Sequence, residues 1–307
     1  MVRTYPRAPA GRSLAVTDLT RPYDAAAVTQ SPDTRPAAAA RTLVAFSFGG
    51  FHAEADGLMD DYLFALTGKE RPTVCLLGTA AGDSETETMK FVRAFMGRAE
   101  LTYAPAYRYL RPGDDPVGRL LEADLIYIPG GNAPGAVATW RALGWDEVLR
   151  QAWAQGTVIA AMCAGAMAMF EHYSCKWHRR PQLGRGIGLI PGSLACHLNE
   201  ADNASHALLR DGIGAGTLPG GYALADGLAL RFAGTEPAEC VRSRPGAQGY
   251  ALEPDGAGGL VETELTADLL ADRVELALDR GRREALLTPV GGVAVAEPLS
   301  APAEIAG

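Results

Sequence analysis

No stretch of the chain approaches the roughly 18 apolar residues of a membrane span, and the opening residues, MVRTYPRAPAGRSLAV, lack the continuous apolar centre of a secretory leader. Basic charge is also short. With 28 Lys and Arg against 36 Asp and Glu, the net charge is −8, which argues against a nucleic-acid surface. Cysteines are few and scattered: Cys75, Cys163, Cys175, Cys196 and Cys240 are odd in number and lack the tight spacings of a secreted disulfide framework. A reducing cytoplasm is therefore the expected compartment, without membrane or nucleic-acid partners. Phe48-Gly49-Gly50-Phe51 does not match a dinucleotide fingerprint, and no cofactor is expected. There is no internal repeat.

What is present is an ordinary globular balance, 48% hydrophobic and 21% charged residues over 307 positions. Residues 1–40, rich in Pro, Ala, Arg and Thr, read as a flexible tail. From Thr42 the texture changes. TLVAFSF, TVCLLG, LTYAPAY, DLIYIPGG and TVIAAM are short apolar runs that read as strands, and amphipathic segments fall between them. Leu58 to Leu66 and Thr86 to Met96 read as helices, and Ala133 to Ala154 as a helical stretch interrupted at Gly144. Short apolar strands alternating with helices predict an α/β three-layer sandwich around a mostly parallel sheet. Beyond Gly216, segments such as GYALADGLALRF and GLVETEL predict antiparallel strands added at one edge. The expected division is a tail over 1–40, a catalytic domain over 41–265 and a C-terminal extension over 266–307.

The segment GTVIAAMCAGAMAMF carries the most chemistry. An apolar strand runs straight into a turn whose apex is Cys163, flanked by the small residues Ala161, Ala164, Gly165 and Ala166. A nucleophile elbow packs so tightly that bulky neighbours would clash. The helix that follows aims unpaired N–H groups and its positive end at the apex, a setting that favours thiolate chemistry. A buried, inert cysteine is the competing explanation.

Two further segments weigh against that competing explanation. IYIPGGNAP places Gly130, Gly131 and Asn132 at the carboxyl end of the preceding strand, where open α/β sheets bind ligands. The Gly131 and Ala164 N–H groups, with Gly130 beside them, form a candidate oxyanion hole, and Asn132 is a candidate substrate contact. In LIPGSLACHLNEAD, His197 ends an apolar strand as a candidate general base. The loop GTAAGDSE offers Thr79, Asp83 and Ser84 as substrate contacts, alongside a simpler role for Asp83 or Ser84 in capping the next helix. His172, Cys175 and His178 share an H-x2-C-x2-H spacing, but zinc sites use more regular ligand pairs, so no metal is expected.

Taken in order, these segments resemble the dipeptidase E and cyanophycinase family of peptidases, within the class I glutamine amidotransferase-like (flavodoxin-like) superfamily. The resemblance runs from about Val44 to Tyr250 and rests on GGFHAEADGLMDDYLFALTGKERPTVCLLGTAAGDSE, IYIPGGN, WRALGWDEVLRQAWAQG, the CAGA elbow and PGSLACH. It implies amide hydrolysis. Dipeptidase E members release an N-terminal aspartate from short peptides, and cyanophycinases cut a β-aspartyl-arginine polymer.

By the same resemblance Cys163 stands where the family has serine in G-x-S-A-G-[AS], His197 where it has the histidine of P-H-[FY], and Gly131 at the oxyanion glycine. The sequence departs from the pattern in three ways. The nucleophile is cysteine, so a thioester replaces the usual ester. Cys196 replaces the proline before the histidine. No Asp or Glu occurs in HYSCKWHRR, which reads as a loop where the family's acid falls. Glu200, Glu171, Asp202 or Asn199 are left to orient His197, or a Cys–His dyad acts alone, which a thiol tolerates better than a hydroxyl.

The expected function is a cysteine-dependent amide hydrolase acting on a short peptide or amino-acid amide. An acyl transferase or glutaminase-type amidotransferase using the same pair, and a non-catalytic peptide-binding relative, are the alternatives. A homodimer is the assembly allowed for.

Overall fold

The computed structural model describes residues 41–108, 111–178, 180–200, 204–275 and 282–289, so the expected tail over 1–40 lies outside the described residues. Five apolar runs form the parallel heart of the molecule: β1 (Thr42–Phe46), β2 (Thr73–Leu76), β3 (Glu100–Tyr103), β4 (Leu125–Ile128) and β5 (Val158–Met162). Three further strands, β10 (Leu228–Ala233), β11 (Glu236–Arg242) and β14 (Asp268–Leu269), complete an eight-stranded sheet of order β14-β11-β10-β1-β5-β4-β2-β3. Every pair from β1 to β3 is parallel, while β10 runs antiparallel to both β1 and β11.

Alternation along these strands builds two cores, one on each face. Leu43, Ala45, Ile126, Ile128, Ile159 and Ala161 point to one face, where α3 (Pro116–Glu122), α4 (Ala133–Leu143), α5 (Trp145–Ala154) and α6 (Ala164–Met169) supply Leu120, Trp140, Leu149 and Met167. Val44, Phe46, Leu125, Tyr127, Val158 and Ala160 point to the other, against Met59, Tyr62 and Leu63 of α1 (Leu58–Leu66) and Phe91 and Phe95 of α2 (Glu85–Phe95). The result is the three-layer sandwich, with strands buried on both faces reading as unbroken apolar runs. Gly144, in the left-handed region at φ 70°, ends α4 and starts α5, which accounts for the interruption read in the sequence.

The later strands depart from the expectation. They do not all extend one edge. β6 (Phe170–Trp177), β7 (Arg180–Arg185), β8 (Ile190–Cys196), β9 (Gly221–Leu224), β12 (Gly249–Pro254) and β13 (Leu260–Glu264) form a second sheet of order β13-β12-β9-β8-β6-β7. HYSCKW, the larger part of HYSCKWHRR, is accordingly strand, not loop: β6 pairs antiparallel with β7 from His172↔Arg185 to Trp177↔Arg180. One face of this sheet joins the core containing α6 through Phe170, Leu194, Tyr222 and Leu224. The helix α7 (Ala204–Gly214) covers the other with Leu209 and Ile213 against Ala195, Ala223 and Leu252.

Past the boundary expected at 265, described residues still contact the main sheet. β14 pairs with β11, and α8 (Leu270–Glu275) carries Arg273, fully buried, into bonds with Glu239 at 2.8 Å and Asp268 at 2.8 Å. Glu239 in turn accepts from Tyr62 at 2.6 Å and Arg231 at 2.8 Å. A buried guanidinium bound to the sheet this way makes residues 266–275 part of the same body. Among the described residues no helix is long and apolar enough to cross a membrane.

Candidate active site

The site lies at the carboxyl ends of β4 and β5, where the parallel strands release their loops. β5 ends at Met162, and Cys163 takes φ 48°, ψ −113°, a sparsely populated conformation for a non-glycine residue. The surroundings hold it there. The Cys163 N–H donates to Phe46 O at 2.8 Å, and Met167 N–H donates to Cys163 O at 2.9 Å, closing the first turn of α6. A methyl group on Gly165 would sit 2.7 Å from Ile128 O and 2.8 Å from Pro129 O, so only glycine lets the elbow press against β4. A methyl on Gly130 would meet Cys163 Cβ at 3.1 Å, and one on Gly131, at φ 136°, would land on the Ala80 carbonyl.

Cys163 Sγ and His197 Nε2 are 3.0 Å apart. His197 follows the last residue of β8 and adopts φ 60°, and its backbone N–H donates to Ser47 Oγ at 2.8 Å. The other ring nitrogen, Nδ1, lies 2.8 Å from Asp226 Oδ1. That carboxylate also accepts from Ser47 Oγ at 2.8 Å, while the Asp226 N–H donates to Asn199 Oδ1 at 2.9 Å. Sulfur, imidazole and carboxylate therefore stand in a line, with Ser47 and Asn199 fixing its far end.

The electrostatics follow from this line. The hydrogen bond to Asp226, then that to Cys163, raise the His197 pKa to about 10 against the opposing effect of burial. Burial works to raise the Asp226 pKa, but bonds from His197 and Ser47 outweigh it and leave the carboxyl below its ordinary value. The pair is arranged to keep the imidazole protonated beside an ionised carboxylate.

Asp226 is the residue that the sequence reading missed, and of the acids offered there Asp202 lies outside the described residues. Glu200 pairs with Lys176 Nζ at 2.9 Å, and Glu171 faces Arg185 at 3.8 Å and His172 at 3.9 Å. Asn199 accepts from the Asp226 backbone N–H and so helps hold Asp226 in place.

A cavity of about 220 Å³ opens in front of Cys163, lined by Gly131, Ala164 and His197 and bounded by Cys175, Lys176, Trp177 and Glu200. Gly131 and Ala164 thus line the same cavity as Cys163. No side-chain bond caps the start of α6, whose first residue, Ala164, lines the cavity. Asn132 lines the cavity too, but its Oδ1 accepts from Gly135 N–H at 2.9 Å as the cap of α4.

The loop after β2 is placed differently from the expectation. Thr79 is buried in the turn Gly78–Ala81, and the cavity lining includes neither it nor Asp83 nor Ser84. Asp83 Oδ2 accepts from Ala106 N–H at 2.6 Å and Tyr107 N–H at 2.7 Å, tying down the loop after β3. Ser84 occupies the N-cap position of α2 without a capping side-chain bond. His172 and Cys175 are an odd number of residues apart on β6, which sends them to opposite faces.

Comparison with known proteins gives a consistent result. Residues 43–239 match the model of peptidase family S51. The chain is 34% identical over 216 residues to the uncharacterized peptidase YgaJ of Bacillus subtilis (strain 168), covering 68% of this chain and 91% of that protein. Among solved structures it is similar to a peptidase from an acI-B1 Actinobacterium, with TM-score 0.56 and 22% identity over 74% of this chain and 94% of the other. It also resembles a putative peptidase E protein from Listeria monocytogenes EGD-e, with TM-score 0.49 and 16% identity over 66% and 99% of the two chains.

Proposed function

Because this chain belongs to peptidase family S51, we propose that it is a peptidase or amidase whose nucleophile is Cys163, acting on short peptides or amino-acid amides through a thioester. The observation that carries this reading is the 3.0 Å approach of Cys163 Sγ to His197 Nε2, with Asp226 2.8 Å from Nδ1. His197 takes the thiol proton, and Asp226 holds the resulting imidazolium with Nε2 turned to the sulfur. The thiolate attacks the substrate carbonyl. The developing oxyanion is met by the Gly131 and Ala164 N–H groups, and His197 protonates the leaving amine. Water, activated by the same imidazole, then cleaves the thioester.

The carboxylate of Asp226, 2.8 Å from His197 Nδ1, supports the catalytic reading over that of a non-catalytic binder.

The test begins without a substrate. The rate of iodoacetamide alkylation at Cys163 is followed against pH by mass spectrometry, in the natural chain and in His197→Ala. Rapid labelling at pH values well below the free-thiol pKa of about 8.5, slowed in His197→Ala, is the expected result. Aspartyl dipeptides and amino-acid amides then form the first substrate panel. Labelling no faster than at the other cysteines, and indifferent to His197, would overturn the nucleophile assignment.

A further inference from the structure

Three of the five cysteines meet at one cavity. Cys163, Cys175 and Cys196 all line it, whereas Cys75 and Cys240 are buried elsewhere in the core. Cys196 Sγ lies 3.9 Å from the carbonyl oxygen of Cys163, against the backbone of the residue that we read as the nucleophile. On the neighbouring parallel strands β6 and β8, Tyr173 pairs with Leu194. Cys175 and Cys196 each follow that pair by two residues along their strands, so each points to the same side as its strand's member of the pair. Burial, and then the charge of Cys163, push the Cys196 thiol up, so it rests as a thiol and leaves the nucleophilic role to its neighbour. Among the described residues no group of three or more His, Cys, Asp or Glu side chains has the arrangement of a metal site. The chemistry left to a cluster of thiols around an activated one is sulfur–sulfur chemistry.

We propose that Cys163 is a site of reversible oxidation by hydroperoxides and that Cys196 is its resolving thiol. The proposal rests on the reading of Cys163 as an activated thiolate. In the first step the Cys163 sulfur attacks the distal oxygen of the hydroperoxide. The O–O bond breaks, the alkoxide or hydroxide leaves with the proton of His197, and Cys163 becomes a sulfenic acid. The peroxide is reduced by two electrons and the sulfur oxidised by two. In the second step the Cys196 sulfur attacks that of Cys163. The S–O bond breaks, the hydroxyl leaves as water with the Cys196 proton, and a Cys163–Cys196 disulfide forms. A small dithiol restores both thiols. The linkage removes the nucleophile from service while sparing it the irreversible sulfinic and sulfonic acids.

The experiment uses the full chain. Iodoacetamide labelling of Cys163 is measured first, then again after hydrogen peroxide, then after dithiothreitol, with disulfides mapped by mass spectrometry. The natural chain is compared with Cys196→Ala and with Cys175→Ala. The expected result is loss of labelling with peroxide, a peptide pair joining Cys163 to Cys196, and full recovery with dithiothreitol in the natural chain and in Cys175→Ala. In Cys196→Ala, labelling is lost for good and Cys163 is recovered as sulfinic acid. A Cys163–Cys175 pair, or sulfinic acid forming equally in the natural chain and in Cys196→Ala, would overturn the assignment of Cys196. Should Cys196→Ala fail to fold, the disulfide map of the natural chain decides alone. Fast initial labelling followed by irreversible oxidation sinks only this proposal, whereas slow initial labelling sinks the nucleophile reading beneath it.

Discussion

Asp226 lies 29 residues beyond His197 and yet its carboxylate is bound to the imidazole. Nothing in ALADGLAL marks it as functional, because Asp-Gly between two apolar runs is also what a turn uses. Cys163, His197 and Gly131 were readable because each follows a strand in a recognisable local pattern. The acid was not, since only the passage between two sheets brings it there. Asp226→Asn should lower kcat/KM by about 10²-fold or more, the scale of general acid–base assistance, and should slow Cys163 alkylation at neutral pH. Glu200→Gln should leave alkylation unchanged. The opposite ranking would return the orienting role to Glu200. A second carboxylate, Asp60, shows what burial does without such a partner. Burial, and then the nearby Glu54, raise its pKa to about 8. Between about pH 4, the unfolded value, and pH 8 the folded chain keeps a proton that the unfolded chain has released. Stability should therefore fall as pH rises through that window and level off above it. Thermal melts of Asp60→Asn, an uncharged mimic of the protonated acid, should show a flatter dependence, and an unchanged slope would refute the shift.

The elements that hold the site were more readable than their junctions. β1, β2, β4 and β5 appear in the sequence as apolar runs because both faces are buried, and α4 and α5 as amphipathic stretches divided by a left-handed glycine. β6 was unreadable. Its outer residues Cys175, Lys176 and Trp177 are half-exposed or exposed, and with His172 and Arg180 nearby the segment has the polarity of a loop. Tertiary pairing with β7 and β8, not local preference, makes it a strand. The elbow itself depends on glycine for space. Gly165→Ala drives a methyl into two carbonyl oxygens of the β4 exit, and should cost about 1–3 kcal/mol of stability by overpacking. The same displacement should misplace Cys163. Denaturant melts paired with alkylation rates would check both, and a variant of natural stability with natural labelling would show the elbow to be looser than its contacts imply.

At the scale of the whole molecule, described residues beyond 265 are bonded to the main sheet. The buried Arg273 reaches Glu239, Asp268 and the Leu286 carbonyl, binding the last described helices to the sheet. Removing one member of a buried ion pair costs about 3–5 kcal/mol. Arg273→Ala should fall at the low end, about 3 kcal/mol, because Glu239 keeps Arg231 and Tyr62. A chain ended at 265 should lose more than the point variant, and equal melting temperatures for the truncated and full chains would restore the boundary. The two-sheet plan was hidden for a related reason: β9 and β10 are separated by three residues but belong to different sheets, and hydrophobic alternation carries no record of which sheet a strand joins. That short passage also sets a timetable. Cys163 follows β5, His197 follows β8, and Asp226 sits on the crossing into β10, which must pair with the N-terminal β1. In a chain still growing on the ribosome, the residue proposed as nucleophile and His197 are made before Asp226 and β10, so the proposed activity has to await the pairing of β10 with β1.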